Sequence, residues 1–338
     1  MDLTGKRVVV TGGAGFIGSH VVDELLARRD VREITVLDTL RNGRLENLPA
    51  LGRDPRLRLV RGDVTNGDAV EGVCDGVQVV FHLACLGVRH SLHSPLENQA
   101  VNANGTLTVL LAATRSAVER FVHVSSSEVF GTARYVPMDE QHPRLPETVY
   151  GASKLAGEAL ARASWRSAGL PVAVVRPFNN FGPRSHFEGD SGEVIPRTIV
   201  RLLCGLPPVV FGDGEQTRDF LHVRDTARAL IALAECDEAV GQMVNIGSGL
   251  ETTINEVCRL VAEATGRTDL TPEHQDPRPG DVRRLWVDNS MAHRLIGFRP
   301  SVRLADGIGG LVEWFQQRSK SPEEMLALMT ERNWVETG

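Results

Sequence analysis

A cluster of glycines between a strand and a helix constrains this chain more than any other feature. Residues 6–11, KRVVVT, are short and β-branched, and they lead straight into Gly12-Gly13-Ala14-Gly15-Phe16-Ile17-Gly18. Such a run bounded by glycine predicts a buried strand. Residues 19–29 then show helical spacing, with Val21, Val22, Leu25 and Leu26 as the apolar stripe. Strand, glycine turn and helix in that order present backbone amides at a helix N-terminus, where a pyrophosphate can approach closely. Gly12 permits the tight turn, Gly15 the close approach, and Gly18 the packing of helix on strand. The spacing is G-x-x-G-x-x-G, and a glycine motif alone is weak evidence. Here a second strand, at 34–38, ends in Asp38, twenty residues beyond Gly18. A carboxylate there accepts hydrogen bonds from both adenosine ribose hydroxyls and repels a 2′-phosphate. Together these features predict a site for NAD rather than NADP, with Arg41 the one neighbour of opposite preference.

The alternation continues. Strands are predicted at 57–63, 77–84, 120–125 and 172–176, and helices at 98–114 and 149–167. Strand–helix alternation of this kind predicts an α/β fold, a Rossmann-type doubly wound parallel sheet. After about residue 180 the pattern loosens, with Pro183, Pro196, Pro207, Pro208, Pro272, Pro277 and Pro279 interrupting it. The expected organisation is a dinucleotide-binding domain over 1–180, a smaller mixed α/β C-terminal substrate-binding lobe over 181–318, and a charged tail over 319–338 forming a surface helix. Residues 242–246 are expected to return to the main sheet.

Composition narrows the partners. With 338 residues and a formal net charge of −6, the chain has no global basic field for nucleic acid, although a local group of arginines can still hold a diphosphate. The start of the sequence reads as lacking a signal peptide, and no apolar run approaches the roughly 18 residues that suggest a membrane span. The five cysteines are scattered without a C-x-x-C pair, which predicts reduced thiols, no metal site and a cytoplasmic protein.

The candidate chemistry lies in two segments. Tyr150-Gly-Ala-Ser-Lys154 puts a phenol and an ammonium on one helical face, where the lysine favours the phenolate. A phenol ionises near pH 10, so a usable base needs that help. Y-x-x-x-K is common by itself. Its companion is Ser125-Ser126-Ser127-Glu128 at a predicted strand end, on the rim where open α/β sheets bind ligands.

These segments belong to an ordered series: TGGAGFIGSH at 11–20, Asp38, GDV at 62–64, HLAC at 82–85, VNANGT at 101–106, SSSEVFG at 125–131, YGASK at 150–154, RPFNNFGPR at 176–184 and QTRDFLHV at 216–223. In that series the chain resembles the extended short-chain dehydrogenase/reductase family, in its nucleotide-sugar epimerase and dehydratase branch, from about residue 6 to 310. The resemblance implies that Tyr150 removes the sugar O4 proton, that Ser126 shares it, and that Lys154 holds the nicotinamide ribose. It implies Asn42, Asp63, Val64, Leu83, Ala84, Cys85 and Pro177 as further cofactor contacts, with Asn102 holding the sheet geometry beneath. Cys85 stands where the family usually has alanine. Ser127, Asn179 and Arg218 match substrate positions, Arg278 is a second arginine clamp, and Val209 and Phe211 border the nucleotide base. A homodimer through the helices at 98–114 and 149–167 is also implied.

The fate of a 4-keto sugar is open on sequence alone. An epimerase needs only rotation of the ketone; a 4,6-dehydratase needs a base at C5 and an acid for the C6 hydroxyl; a UDP-glucuronate decarboxylase needs a carboxylate at C5. The common dehydratase pattern is Thr-Asp-Glu where this chain has Ser126-Ser127-Glu128, which keeps the glutamate and loses the aspartate. The 4-epimerase is the leading expectation, with dehydratase and decarboxylase as alternatives and an NAD-binding regulator without turnover as the reading from another class. His20, His82 and His123 are expected to be structural. His186 and Glu188 either reach the sugar or lie solvated, and Cys85 is expected to be a small apolar filler.

Overall fold

The computed structural model describes residues 1–335; residues 336–338, the end of the expected tail helix, lie outside the described residues. Six strands are β1 Arg7–Thr11, β2 Glu33–Asp38, β3 Leu57–Arg61, β4 Val79–His82, β5 Arg120–Val124 and β6 Val172–Pro177. With Met243–Ile246 they form one parallel seven-stranded sheet, in the order Met243–Ile246, β6, β5, β4, β1, β2, β3. The order reverses between β1 and β4, and the crevice at their carboxyl ends is where such sheets bind ligands. The expected return of residues 242–246 is found, with Met243–Ile246 pairing beside β6.

Side-chain alternation along β1 divides the core. Val8 and Val10 join Val22, Ile34 and Leu230 on one face, covered by helices Phe16–Ala27 and Val223–Glu235. Val9 faces the other way, into Leu37, Val80, Leu110 and Phe121 under helices Gly105–Arg115 and Val149–Ala168. Every residue of β4, β5 and β6 is buried, as a parallel strand covered on both faces must be.

Beyond β6 the chain builds a mixed lobe. Short pairs join Asn179–Phe181 to Phe220–His222 and Val209–Phe211 to Glu273–Gln275 in parallel, and Thr217–Arg218 to Thr252–Thr253 antiparallel. Helices Val194–Leu203, Ile254–Thr265 and Leu304–Gln316 share a core of Ile199, Val257, Leu311 and Phe315. Among the described residues no helix is long and apolar enough to cross a membrane.

Three expectations change. The first helix begins at Phe16, so the glycine motif supplies its opening turn. The helix expected at 98–114 is broken by a π-helical stretch, Ala100–Asn104. Among the described residues the tail is helical only over Pro322–Leu326, capped by Ser321 and Glu324, and Met325 is fully buried in the lobe core. The apolar residues of the tail are at least as numerous as its charges, and they decide its position.

Candidate active site

One cavity of about 910 Å³ runs from the glycine turn into the lobe. At its first end the backbone does the work. Gly12 has φ +69°, and a Cβ there would lie 2.8 Å from the Ala84 amide nitrogen, so only glycine lets this turn meet the end of β4. Gly15 precedes helix Phe16–Ala27 without any side-chain cap, leaving the first-turn amides around Phe16, Ile17 and Gly18 open to the cavity. The Asp38 carboxylate accepts from the amides of Ala14 at 3.0 Å and Leu40 at 2.8 Å. Burial pushes that carboxyl above its ordinary value, against the two amide bonds. Arg41 is engaged by Glu97 and by His90 Nε2 at 3.3 Å, which turns it to protein partners rather than to a 2′-phosphate. Asn42, Asp63, Val64, Leu83, Ala84, Cys85 and Pro177 complete the walls. An amide cradle that a Cβ would fill, an uncapped helix start and a ribose-facing acid fit a dinucleotide.

Asn102 lies beneath the site rather than in its wall, and Cys85 departs from expectation. Asn102 does not line the cavity. The π-helical stretch directs its amide to Leu86, whose N–H donates to Oδ1 at 2.8 Å and whose carbonyl accepts from Nδ2 at 3.0 Å. Asn102 therefore holds the loop after β4 from beneath. Cys85 is exposed on the cavity rather than packed as apolar filler, because β4 ends at His82 and residue 85 already lies beyond the strand.

The catalytic candidates meet where β5 ends. Thr148 caps helix Val149–Ala168 by accepting from the Gly151 amide at 3.1 Å, which sets Tyr150 in the first turn. A Cβ at Gly151 would lie 2.5 Å from the Glu128 carbonyl, so its absence allows this helix to touch the turn after β5. Ser126 starts that turn, its hydroxyl accepting from the Glu128 amide at 3.2 Å. Ser125 is used otherwise: it donates at 2.6 Å to Glu158, which also binds Arg176 through two 2.7 Å contacts. This buried ion pair ties helix Val149–Ala168 to β5 and β6.

Electrostatics at Tyr150 depart from the sequence argument. Burial pushes the phenol well above its ordinary value, Cys85 adds to this, and the Ser126 hydroxyl opposes it. Lys154 donates to the Val124 carbonyl at 2.5 Å, and burial lowers its ammonium. Desolvation thus dominates at both groups. Burial also raises the Glu128 carboxyl, against the pull of Arg218 and Arg278.

The far end is cationic. Arg218 and Arg278 both donate to one oxygen of Asp281, each at 2.6 Å. Arg89 pairs with Glu193 at 3.2 Å. Arg197 is pushed down to about 10 by burial, with Arg89 and Arg201 adding to the effect. Ser127, Asn179, Val209 and Phe211 also line this space. His186 reaches the cavity, whereas Glu188 binds His186 and Arg44. Sequence reasoning missed Arg89, Glu193, Arg197 and Asp281; the available signals were an arginine inside the mostly apolar stretch IPRTIV and the aspartate that closes RPGD, three residues after Arg278. The three histidines are placed as structural groups: His20 bonds the Pro183 carbonyl, His82 lies between Thr11 and Thr106, and His123 stacks on His82.

Fold and cavity define a Rossmann-type dinucleotide-binding protein whose cavity ends among several arginines. The chain belongs to the GDP-mannose 4,6 dehydratase family, whose model matches residues 9–310, within the extended short-chain dehydrogenase/reductases. It is 37% identical over 317 residues to a UDP-glucose 4-epimerase of Mycolicibacterium smegmatis, covering 93% of this chain and 100% of that protein. It is 38% identical over 317 residues to a dTDP-glucose 4,6-dehydratase of Actinoplanes sp., covering 92% and 98%. The dTDP-glucose 4,6-dehydratase of Streptomyces venezuelae, solved with NAD bound, superposes with a TM-score of 0.87 at 34% identity, covering 92% of this chain and 97% of that one. The family is NAD-dependent, and its members include nucleotide-sugar epimerases and dehydratases.

Proposed function

We propose that this protein is a nucleotide-sugar 4-epimerase working through a transient 4-keto sugar. Tyr150 takes the O4 proton, Ser126 shares it, and Lys154, fixed by the Val124 carbonyl, orients the nicotinamide ribose. NAD, when bound, supplies the reversible two-electron acceptor for C4 and a positive charge that favours the phenolate. Arg218 and Arg278 hold the diphosphate with Asn179 beside them, while Val209 and Phe211 border the base.

The observation that carries the epimerase reading is Ser127. It lines the cavity where a 4,6-dehydratase would present its second acid, and an epimerase needs none. One feature favours a 4,6-dehydratase as second reading: Glu128 faces the same cavity with its carboxyl raised by burial, suited to proton exchange at C5.

Incubation with UDP-, dTDP- and GDP-hexoses, read by mass spectrometry and NMR, separates these readings. Inversion at C4 without mass change supports the epimerase. Loss of water assigns the dehydratase, loss of carbon dioxide from a uronate assigns a decarboxylase, and NAD binding without any product leaves a regulator. The same reading makes the protein a homodimer through helices Gly105–Arg115 and Val149–Ala168, supported by the exposed Leu107, Leu111 and Val149. Light scattering of Leu111→Asp, expected to be monomeric, tests it.

A further inference from the structure

The tail beyond residue 320 lies past the stretch that the family match covers, yet it is built into the cavity wall. Met325 anchors it in the lobe core, and Leu326, Met329, Glu331 and Asn333 line the cavity. The chain between them is held at both edges. Arg197 donates to the carbonyls of Thr330 at 2.8 Å and Glu331 at 3.1 Å. Asn333, only 4% exposed, donates to the carbonyls of Gly189 at 3.1 Å and Gly192 at 3.2 Å. The Gly189 amide donates back to the Leu328 carbonyl at 3.2 Å. Trp334 meets Phe211 edge-on, with ring centroids 4.7 Å apart, and Gln275 donates to Glu331 at 3.2 Å.

These partners are Val209–Phe211, which borders the base in the reading above, its neighbour Glu273–Gln275, and the helix carrying Arg197. The Asn333 and Arg197 bonds fix this stretch with Leu326 and Met329 on the cavity wall. We propose that residues 321–335 form the outer wall of the nucleotide subsite. Leu326 and Met329 offer apolar surface to the base, and Trp334 fixes the Phe211 ring, so the tail sets affinity for a nucleoside diphosphate. The inference rests on the nucleotide-sugar reading.

Calorimetry with UDP, dTDP and GDP in the presence of NAD tests it on three proteins: the full chain, a chain ending at Ser319, and the double variant Asn333→Ala with Trp334→Ala. The expected result is at least tenfold weaker binding of the preferred nucleotide to the shortened chain and about threefold to tenfold weaker binding to the double variant, whose Met325 anchor is intact. NAD affinity should stay within twofold. On the full chain, nucleotide should also slow trypsin cleavage after the exposed Arg332, whereas NAD alone should not. Unchanged nucleotide affinity in a folded double variant, or cleavage indifferent to nucleotide, overturns the proposal. A full chain that binds NAD but none of the three nucleotides overturns the nucleotide-sugar reading as well, which separates the two failures.

Discussion

At one end of the cavity the ligand-facing groups are main-chain amides beside Gly12, Gly15 and a single helix start; at the other they are guanidinium groups of Arg89, Arg197, Arg218 and Arg278, from separate stretches of chain. The amide end lies within one strand–helix–strand unit, from β1 to Asp38, and needs small residues at fixed spacing and one acid at the end of the second strand. The arginine end is assembled from long side chains held by protein partners such as Asp281 and Glu193. A backbone cradle has a fixed shape before any ligand arrives. A guanidinium cluster is defined by charge and can exchange partners.

Tyr150 stands between the two ends, and its removal gives the largest expected effect. Tyr150→Phe should lower product formation by on the order of a thousandfold while NAD affinity changes less than threefold, measured by product formation and by calorimetry. Turnover near the wild-type rate would break the proposed division of labour.

The second effect sharpens the contrast through pH. Burial depresses His20 to about 4, His82 to about 3 and His222 to about 4. Their folded values lie below the ordinary 6.5, so their neutral burial supports the fold fully above pH 6.5 and loses that support as pH falls toward the folded values. Asp219, which burial raises to about 6, acts in the opposite sense below that pH and offsets one of the three. Unfolding by guanidinium should therefore give a lower stability at pH 5 than at pH 7.5. Equal midpoints at the two pH values would contradict the burial of these rings.

Third, the two ends should respond independently. Arg218→Ala should weaken nucleoside diphosphate binding by roughly thirtyfold, the scale of charge-assisted hydrogen bonds, and leave NAD binding alone. Asp38→Asn should do the reverse, with a loss of about tenfold for NAD and a gain in tolerance of NADP. Crossed effects would show that the ends are coupled. The smallest change is expected at Glu128→Gln, where an epimerase should keep its rate within about threefold; near-complete loss would move the assignment to the dehydratase.

The amide end was legible because each of its requirements leaves a mark in one dimension: glycines, a β-branched run and an acid after the second strand. The parallel sheet was legible for the same reason, down to the return of residues 243–246. The arginine end was half legible. Arg218 and Arg278 stand in recognisable motifs, and Asp281 closes the motif that Arg278 opens, but its pairing with Arg218 across 63 residues and that of Arg89 with Glu193 across 104 residues leave no periodic signal. The tail misled because its charges were weighed before its equally numerous apolar residues, while its position depends on one methionine, Met325, entering a core. The desolvation of the Tyr150 phenol was hidden too, since it depends on neighbours that only folding brings together.

The single carboxylate oxygen shared by Arg218 and Arg278 pins two guanidiniums at one point of the wall. Each gives Asp281 a single nitrogen, and a guanidinium carries five N–H donors, so both cations keep donors to spare. Without that carboxylate two positive charges would stand side by side, so Asp281 is the spacer that makes their closeness tolerable.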